Sequence, residues 1–220
     1  MVAVRGTGEN RGAHAKLRFN LSPEEADGSP VAARVLLAVV VLGGAGVLVA
    51  SRTSGDGSAA EHRSVCGAVN LEPGDLGVER ARQLTLCLLN GERARHGLPV
   101  LQRRAQLDVA SQRHSEDMVA RRFFEHDTPD GADPQQRMLA AGYPSDNAIT
   151  GENIAWAAGR RASPGQVVDL WMNSPPHREN ILRGEFTEVG LGLTPGAPET
   201  QRSKDAPWTY TTDFGGPPVR

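Results

Sequence analysis

Apolar positions in this chain follow a helical period first and a strand period near the end. Over about 76–96, Leu84, Cys87, Leu88 and Gly91 recur at helical spacing, and Gly97 with Pro99 supplies a stop. A second helix is predicted over 104–123, where Leu107, Ala110, His114 and Met118 share one stripe. A third begins at Asp133, with Pro134 in the first helical position and Gln136 as capping-box partner, and ends at Gly142. The fourth opens on Ser163-Pro164-Gly165-Gln166, carries Val167, Val168, Leu170 and Trp171, and is stopped by Pro175 and Pro176. The period then falls to two. Val189-Gly190-Leu191-Gly192-Leu193 alternates large residues with glycine, and Trp208-Thr209-Tyr210-Thr211-Thr212-Asp213-Phe214 alternates aromatic with β-branched groups. These two runs read as an antiparallel hairpin with a long loop, and 151–157 supplies a third strand. The expectation is an α+β domain with helices packed on a small sheet.

Ahead of these elements the pattern is different. Residues 35–50 carry no charge or strongly polar group and lie between Arg34 and Arg52. As a helix this run is about 24 Å long, and residues 31–33 extend it toward a hydrocarbon core of roughly 30 Å. The chain therefore divides into a disordered cytoplasmic arm (1–30), a transmembrane anchor or signal segment (31–50), a flexible tether (51–75) and a folded domain (76–216). Lys16, Arg18 and Arg34 before the span against Arg52 and Arg63 after it place the folded domain outside the cell. The localisation expected is a single-pass cell-membrane protein, or a secreted one if the segment is cleaved near Ser58-Ala59-Ala60. Both cysteines, Cys66 and Cys87, follow the span. They are either one disulfide, worth about 3 kcal/mol through the loop it closes, or two unrelated thiols.

Composition narrows the function classes. The 220 residues carry a formal charge of −2, with acids interleaved among the arginines, so no basic field draws in nucleic acid. There is no G-x-S-x-G serine elbow, P-loop, dinucleotide glycine fingerprint, H-E-x-x-H helix or C-x-x-C pair. What remains is His126, Glu152, His177 and Glu188, each near the end of an element.

Five ordered pieces carry a resemblance: Leu89-Asn90-Gly91-Glu92-Arg93, Phe123-Phe124-Glu125-His126, Gly151-Glu152-Asn153-Ile154-Ala155, the run from Trp171 through Ser174-Pro175-Pro176-His177 to Leu182, and Phe186-Thr187-Glu188-Val189-Gly190. Together they resemble bacterial SCP-like members of the CAP superfamily (cysteine-rich secretory proteins, antigen 5 and pathogenesis-related proteins). The resemblance covers about 140 residues and implies a three-layer α-β-α sandwich with a small antiparallel sheet. It also implies a cleft where two histidines and two acids gather, which in some members holds a divalent cation such as Zn²⁺. Carried over to this chain, the four are His126, Glu152, His177 and Glu188, with His126 and His177 as metal ligands. Eukaryotic members place the second histidine in a Gly-His-Tyr-Thr-Gln segment, where this chain has Gly184-Glu185-Phe186-Thr187-Glu188.

Imidazoles and carboxylates together suit Zn²⁺, and an open coordination position would polarise water with Glu152 or Glu188 as base. The same four groups can instead pin sheet to helices by hydrogen bonds. His114, on an apolar stripe, reads as a hydrogen-bonded core histidine. Trp156 and Tyr143 line a groove or simply pack, and Asn90 and Arg93 are expected to make structural hydrogen bonds. Three functions stay open. The leading one is a membrane-anchored extracytoplasmic domain whose cleft binds a lipid or cell-wall component without turnover, held to the cytoplasmic membrane through 31–50. The others are a metal-assisted envelope hydrolase or peptidase, and a non-catalytic interaction module using the loop between Pro195 and Pro207.

Overall fold

The structure, a computed structural model, describes residues 2–6, 65–144, 148–201 and 204–216. In chain order the elements are β1 (Val2–Gly6), α1 (Pro73–Leu76), α2 (Val78–Arg95), β2 (Gln102–Arg103), α3 (Ala105–Arg121), α4 (Pro134–Ala140), β3 (Ile149–Ala158), a 3-10 turn (Gly159–Ala162), α5 (Pro164–Met172), α6 (Pro175–Leu182), β4 (Glu188–Pro195) and β5 (Pro207–Gly216). The strands form one sheet in the order β1-β3-β5-β4-β2, antiparallel except for the β2–β4 pair.

Strand periodicity assigns the two faces. Val189, Leu191, Leu193, Tyr210 and Phe214 pack with Leu84 and Leu88 of α2, Val167 and Trp171 of α5, and Ile181 of α6. The intervening positions face α3. Gly190 and Gly192 lie against its backbone, so closely that an added Cβ would sit 2.0 Å from the Leu107 carbonyl carbon and 2.1 Å from the Ser111 carbonyl oxygen. The large-glycine alternation of β4 thus records a sheet with side chains packed on one face and a helix backbone seated on the other. Side chains of α3 also reach the strand's backbone. Asp108 Oδ1 accepts from Leu191 N and Gln112 Oε1 from Leu193 N, both at 2.9 Å.

Two further ties hold the layers. The Arg93 guanidinium, 0 % exposed, donates to the carbonyl oxygens of Pro99 (2.8 Å), Ile181 (2.8 Å), Arg183 (2.9 Å) and Phe186 (2.7 Å). Asn90 exchanges bonds with the Leu101 backbone at 3.2 and 2.7 Å. Both residues do the structural work expected of them. Cys66 and Cys87 form a disulfide with a Cα–Cα distance of 5.9 Å, which fixes the segment before α1 onto α2. Cys66 and Val69 are buried in the main core, so the folded unit reaches back into the stretch read as tether.

Several expectations need correction. Pro175 and Pro176 do not merely end a helix: they occupy the first two positions of α6, where a missing N–H costs nothing. The transmembrane component of the fold is also corrected. Residues 31–50 lie outside the described residues, and no helix among the described residues is long and apolar enough to cross a membrane. Moreover β1, from the arm assigned to the cytoplasmic side, pairs with β3 from Val2 opposite Ala155 to Gly6 opposite Gly151. An arm that shares a hydrogen-bonded ladder with the sheet cannot lie across a bilayer from it. The single-pass localisation and the cytoplasmic membrane as a partner through 31–50 fall with that arrangement.

Candidate functional site

α3 ends at Arg122, whose left-handed backbone (φ 57°, ψ 54°) turns the chain back, and its N–H donates to Met118 O. Phe123 and Phe124 then pack beside Met118, Ile154 and Trp156, which delivers His126 to the α3 side of β3. The turn that follows is closed by Thr128, whose N–H donates to Ala132 O at 3.0 Å and whose hydroxyl accepts from Ala132 N at 3.0 Å. α4 starts on the reciprocal Asp133–Gln136 box read in the sequence. That cap sets the helix at an angle that brings Arg137 back under the turn.

Glu152, the second residue of the Gly-Glu-Asn motif, is at the centre with a side-chain exposure of 0 %. His126 Nδ1 lies 2.7 Å from Oε1, and Arg137 Nη2 donates to Oε2 at 2.5 Å. The other guanidinium nitrogen, Nη1, donates to His126 O at 2.6 Å and to Ala132 O at 3.0 Å. Burial works to raise the Glu152 carboxyl, but the Arg137 charge, followed by the nearby His114 and the His126 hydrogen bond, outweighs it and holds the group well below the usual carboxylate range. Glu152 is therefore ionised. In a neutral imidazole the His126 proton must then sit on Nδ1, leaving the lone pair on Nε2, a buried atom with no hydrogen-bond partner.

Directly across the ladder from Glu152 stands Asp213. Its Oδ2 accepts from Ser111 Oγ at 2.9 Å. Burial, reinforced by the neighbouring Glu152 charge, pushes the Asp213 carboxyl well above its ordinary value. Two adjacent carboxyls in one buried layer are tolerated because one keeps its proton. Oδ1 of Asp213 has no partner while both groups are acceptors, and a proton there makes it a donor.

His114 is fully buried, donates from Nε2 to Glu125 O at 3.1 Å and meets the Phe123 ring edge-on. The same nitrogen is 3.9 Å from Glu152 Oε1. This is the core histidine the sequence implied, and burial drives its pKa from 6.5 down to about 4. Between those values the unfolded chain takes up a proton that the fold refuses, so stability is lost as pH falls through that window. The loss attributable to His114 amounts to roughly 3 kcal/mol. Denaturant unfolding at several pH values checks this: the difference in stability between the wild type and His114→Gln should change steadily from pH 6.5 to 4. A constant difference would remove His114 from the account.

The remaining predicted residues lie elsewhere. His177 is buried in the first turn of α6, and its backbone oxygen accepts from Asn153 Nδ2 at 3.0 Å. One turn on, Asn180 donates to Glu152 O at 3.2 Å. Glu188 sits on the same sheet face as Glu152 but two strands away, roughly 12 Å by strand spacing. Its carboxylate accepts from Tyr143 Oη at 2.8 Å and pairs with Arg104 at 2.6 Å. Tyr143 is thereby a packing residue, buried with Leu107, Ala110 and Met138.

The predicted four-residue cleft thus resolves into a His126–Glu152 pair. Among the described residues no group of three or more His, Cys, Asp or Glu is placed to hold a metal ion. Both oxygens of Glu152 are engaged, and a cation entering beside them would meet the Arg137 guanidinium, so these residues as placed do not fit a metal ion. An open groove of about 390 Å³ between α5 and α6, lined by Met172, Asn173, Pro175, Arg178, Glu179 and Leu182, shares no residue with this network. The sequence reading missed Arg137 and Asp213. For Asp213 the signal was an acid at an inward position of an aromatic and β-branched strand.

Comparison with known proteins gives a consistent picture. Two curated relatives are both from Bacillus subtilis: the uncharacterized protein YkwD, 39 % identical over 105 residues, and the uncharacterized membrane protein YlbC, 32 % identical over 108 residues. The aligned parts make up 48 % and 49 % of this chain but only 39 % and 30 % of those proteins. Among solved structures, an outer surface protein of Borrelia burgdorferi shares the fold with a TM-score of 0.52 at 19 % identity, over 63 % of this chain and 94 % of that one. An extracellular SCP-domain protein of Bacillus anthracis aligns with a TM-score of 0.48 at 27 % identity, over 62 % of this chain and 42 % of that one. Residues 86–212, more than half of the chain, match the family model, and with the sandwich and the buried Glu152 pair in place the chain belongs to the cysteine-rich secretory protein (CAP) family.

Proposed function

We propose that this domain is an extracytoplasmic binding module that recognises a polar, hydrogen-bond-donating component of the cell envelope through His126. The observation that carries the reading is an imidazole fixed at Nδ1 by an ionised Glu152 while its Nε2 acceptor stays without a partner. A buried acceptor left unmatched costs about 1–3 kcal/mol, and a ligand hydroxyl, amide or ammonium group recovers it. The Cys66–Cys87 disulfide supports an oxidising compartment. Binding is favoured over turnover because the hydroxyls nearest the network are committed. Ser111 donates to Asp213 and Ser115 to Thr211, and both cysteines are oxidised.

Titration calorimetry of the full chain with soluble cell-wall glycan and peptide fragments tests the proposal. Saturable binding is expected, weakened at least tenfold, about 1.4 kcal/mol, in His126→Ala. Failure of every fragment to bind, or equal binding by the variant, would sink it. Release of cleavage products that stops in His126→Ala would instead convert the same site into a hydrolase with His126 as base.

A further inference from the structure

β1 is the outermost strand of the sheet and pairs with β3 from Val2 opposite Ala155 to Gly6 opposite Gly151. It also packs against α6. β3 is held along its whole length by β5, from Ile149 opposite Gly216 to Ala158 opposite Pro207, so it keeps its extended form with or without β1. A strand paired on one side presents a row of N–H and C=O groups on the other, and an added strand is held there by backbone bonds that do not depend on which molecule supplies it. At the far edge of the sheet, side chains of α3 fill that role: Asp108 and Gln112 take the N–H groups of Leu191 and Leu193. At the β3 edge the cover is a strand that 58 residues, 7–64, separate from the folded body.

We propose that the β3 edge over 151–155 is a strand-acceptor site whose partner is a second copy of this chain, each copy lending its β1 to the other. An extended chain covers at most about 3.3 Å per residue, so the intervening segment reaches up to about 190 Å, several times the roughly 40 Å width of a folded unit of this size. The same β1 therefore reaches its own β3 or a neighbour's. Exchange introduces no new kind of contact. Each β3 keeps its five-residue antiparallel partner in the same register, and the added cost is the association of two chains, which falls as copies are crowded together. The product is a closed pair, because each copy gives one strand and takes one.

The test has two parts. The full chain is refolded at high and at low protein concentration and its mass is read by light scattering. A dimer is expected from the concentrated sample, dispersed by an excess of synthetic peptide 1–8, while a chain lacking residues 2–6 stays monomeric. That shortened chain, ¹⁵N-labelled, is then titrated with the same peptide. Saturable shifts are expected at the amides of 151–155. A peptide carrying both Ala3→Pro and Val4→Pro should bind at least tenfold more weakly, because successive N–H groups of a strand point to opposite sides and one of these two must face β3. A full chain that stays monomeric at every concentration overturns the proposal, as does a shortened chain that dimerises equally well. Absent shifts, shifts confined to other residues, or equal binding of the proline peptide also overturn it. If the shortened chain does not fold, the full chain decides alone: a dimer that peptide 1–8 disperses and the proline peptide does not upholds the exchange, and any other result overturns it.

Discussion

Replacing Gly190 with alanine is expected to cost more than about 4 kcal/mol and leave the domain largely unfolded at room temperature. The added Cβ would lie 2.0 Å from the Leu107 carbonyl carbon, 2.3 Å from its oxygen and 2.4 Å from Asp108 N. All three are backbone atoms, so no side chain can swing aside. Relief requires α3 to rise from the sheet by more than an ångström, which would break the Asp108 bond to Leu191 N and loosen the layer holding Ser111, His114 and Asp213. Gly184→Ala is the control, since its nearest atom would be a Leu98 methyl at 3.7 Å. Urea unfolding of both variants checks the claim, and a loss below about 1 kcal/mol for Gly190→Ala would show that α3 is not seated as described.

Removal of the Arg93 guanidinium ranks next. In Arg93→Met the apolar stem is kept but four carbonyl oxygens lose their donor at once. An unsatisfied buried acceptor costs about 1–3 kcal/mol, and with water entering to satisfy some of the four the expected destabilisation is about 3–5 kcal/mol. Arg93→Lys should recover only part of this, because one ammonium cannot span four acceptors in the directions a guanidinium reaches. Thermal unfolding of the two variants side by side measures the difference. Equal melting temperatures for methionine and lysine would mean that the hydrogen bonds contribute little beyond packing. No acid partners Arg93 in these bonds; it holds α2 to the chain around α6 through backbone alone, and burial depresses its pKa accordingly.

Much of the fold was legible because local signals agreed with tertiary demands. The Asp133 box, the α3 stripe and the Val189–Leu193 alternation each state a local preference that packing then uses. Pro175-Pro176 was ambiguous, since the same residues that cannot continue one helix suit the start of another. The two-residue β2 is set by its parallel pairing with β4, not by any strand pattern of its own. The site was half legible. His126 and Glu152 come from motifs, but Arg137 reaches Glu152 only through the angle of α4, and Asp213 becomes its neighbour only through the β3–β5 register. Glu188 had the right chemistry, yet Tyr143 and Arg104 already hold it. The 31–50 span showed hydropathy alone, which carries no information about what the residues on either side of it pair with.

The bonds from α3 to β4 have a consequence for how this protein behaves among its own copies. A sheet edge with free N–H groups invites strands from other molecules, and β4 is shielded by β2 for only two residues. Past that point Asp108 and Gln112 fill the donors of Leu191 and Leu193. The helix that covers the sheet also blocks its lateral growth, so concentration alone gives this edge no template for polymerisation.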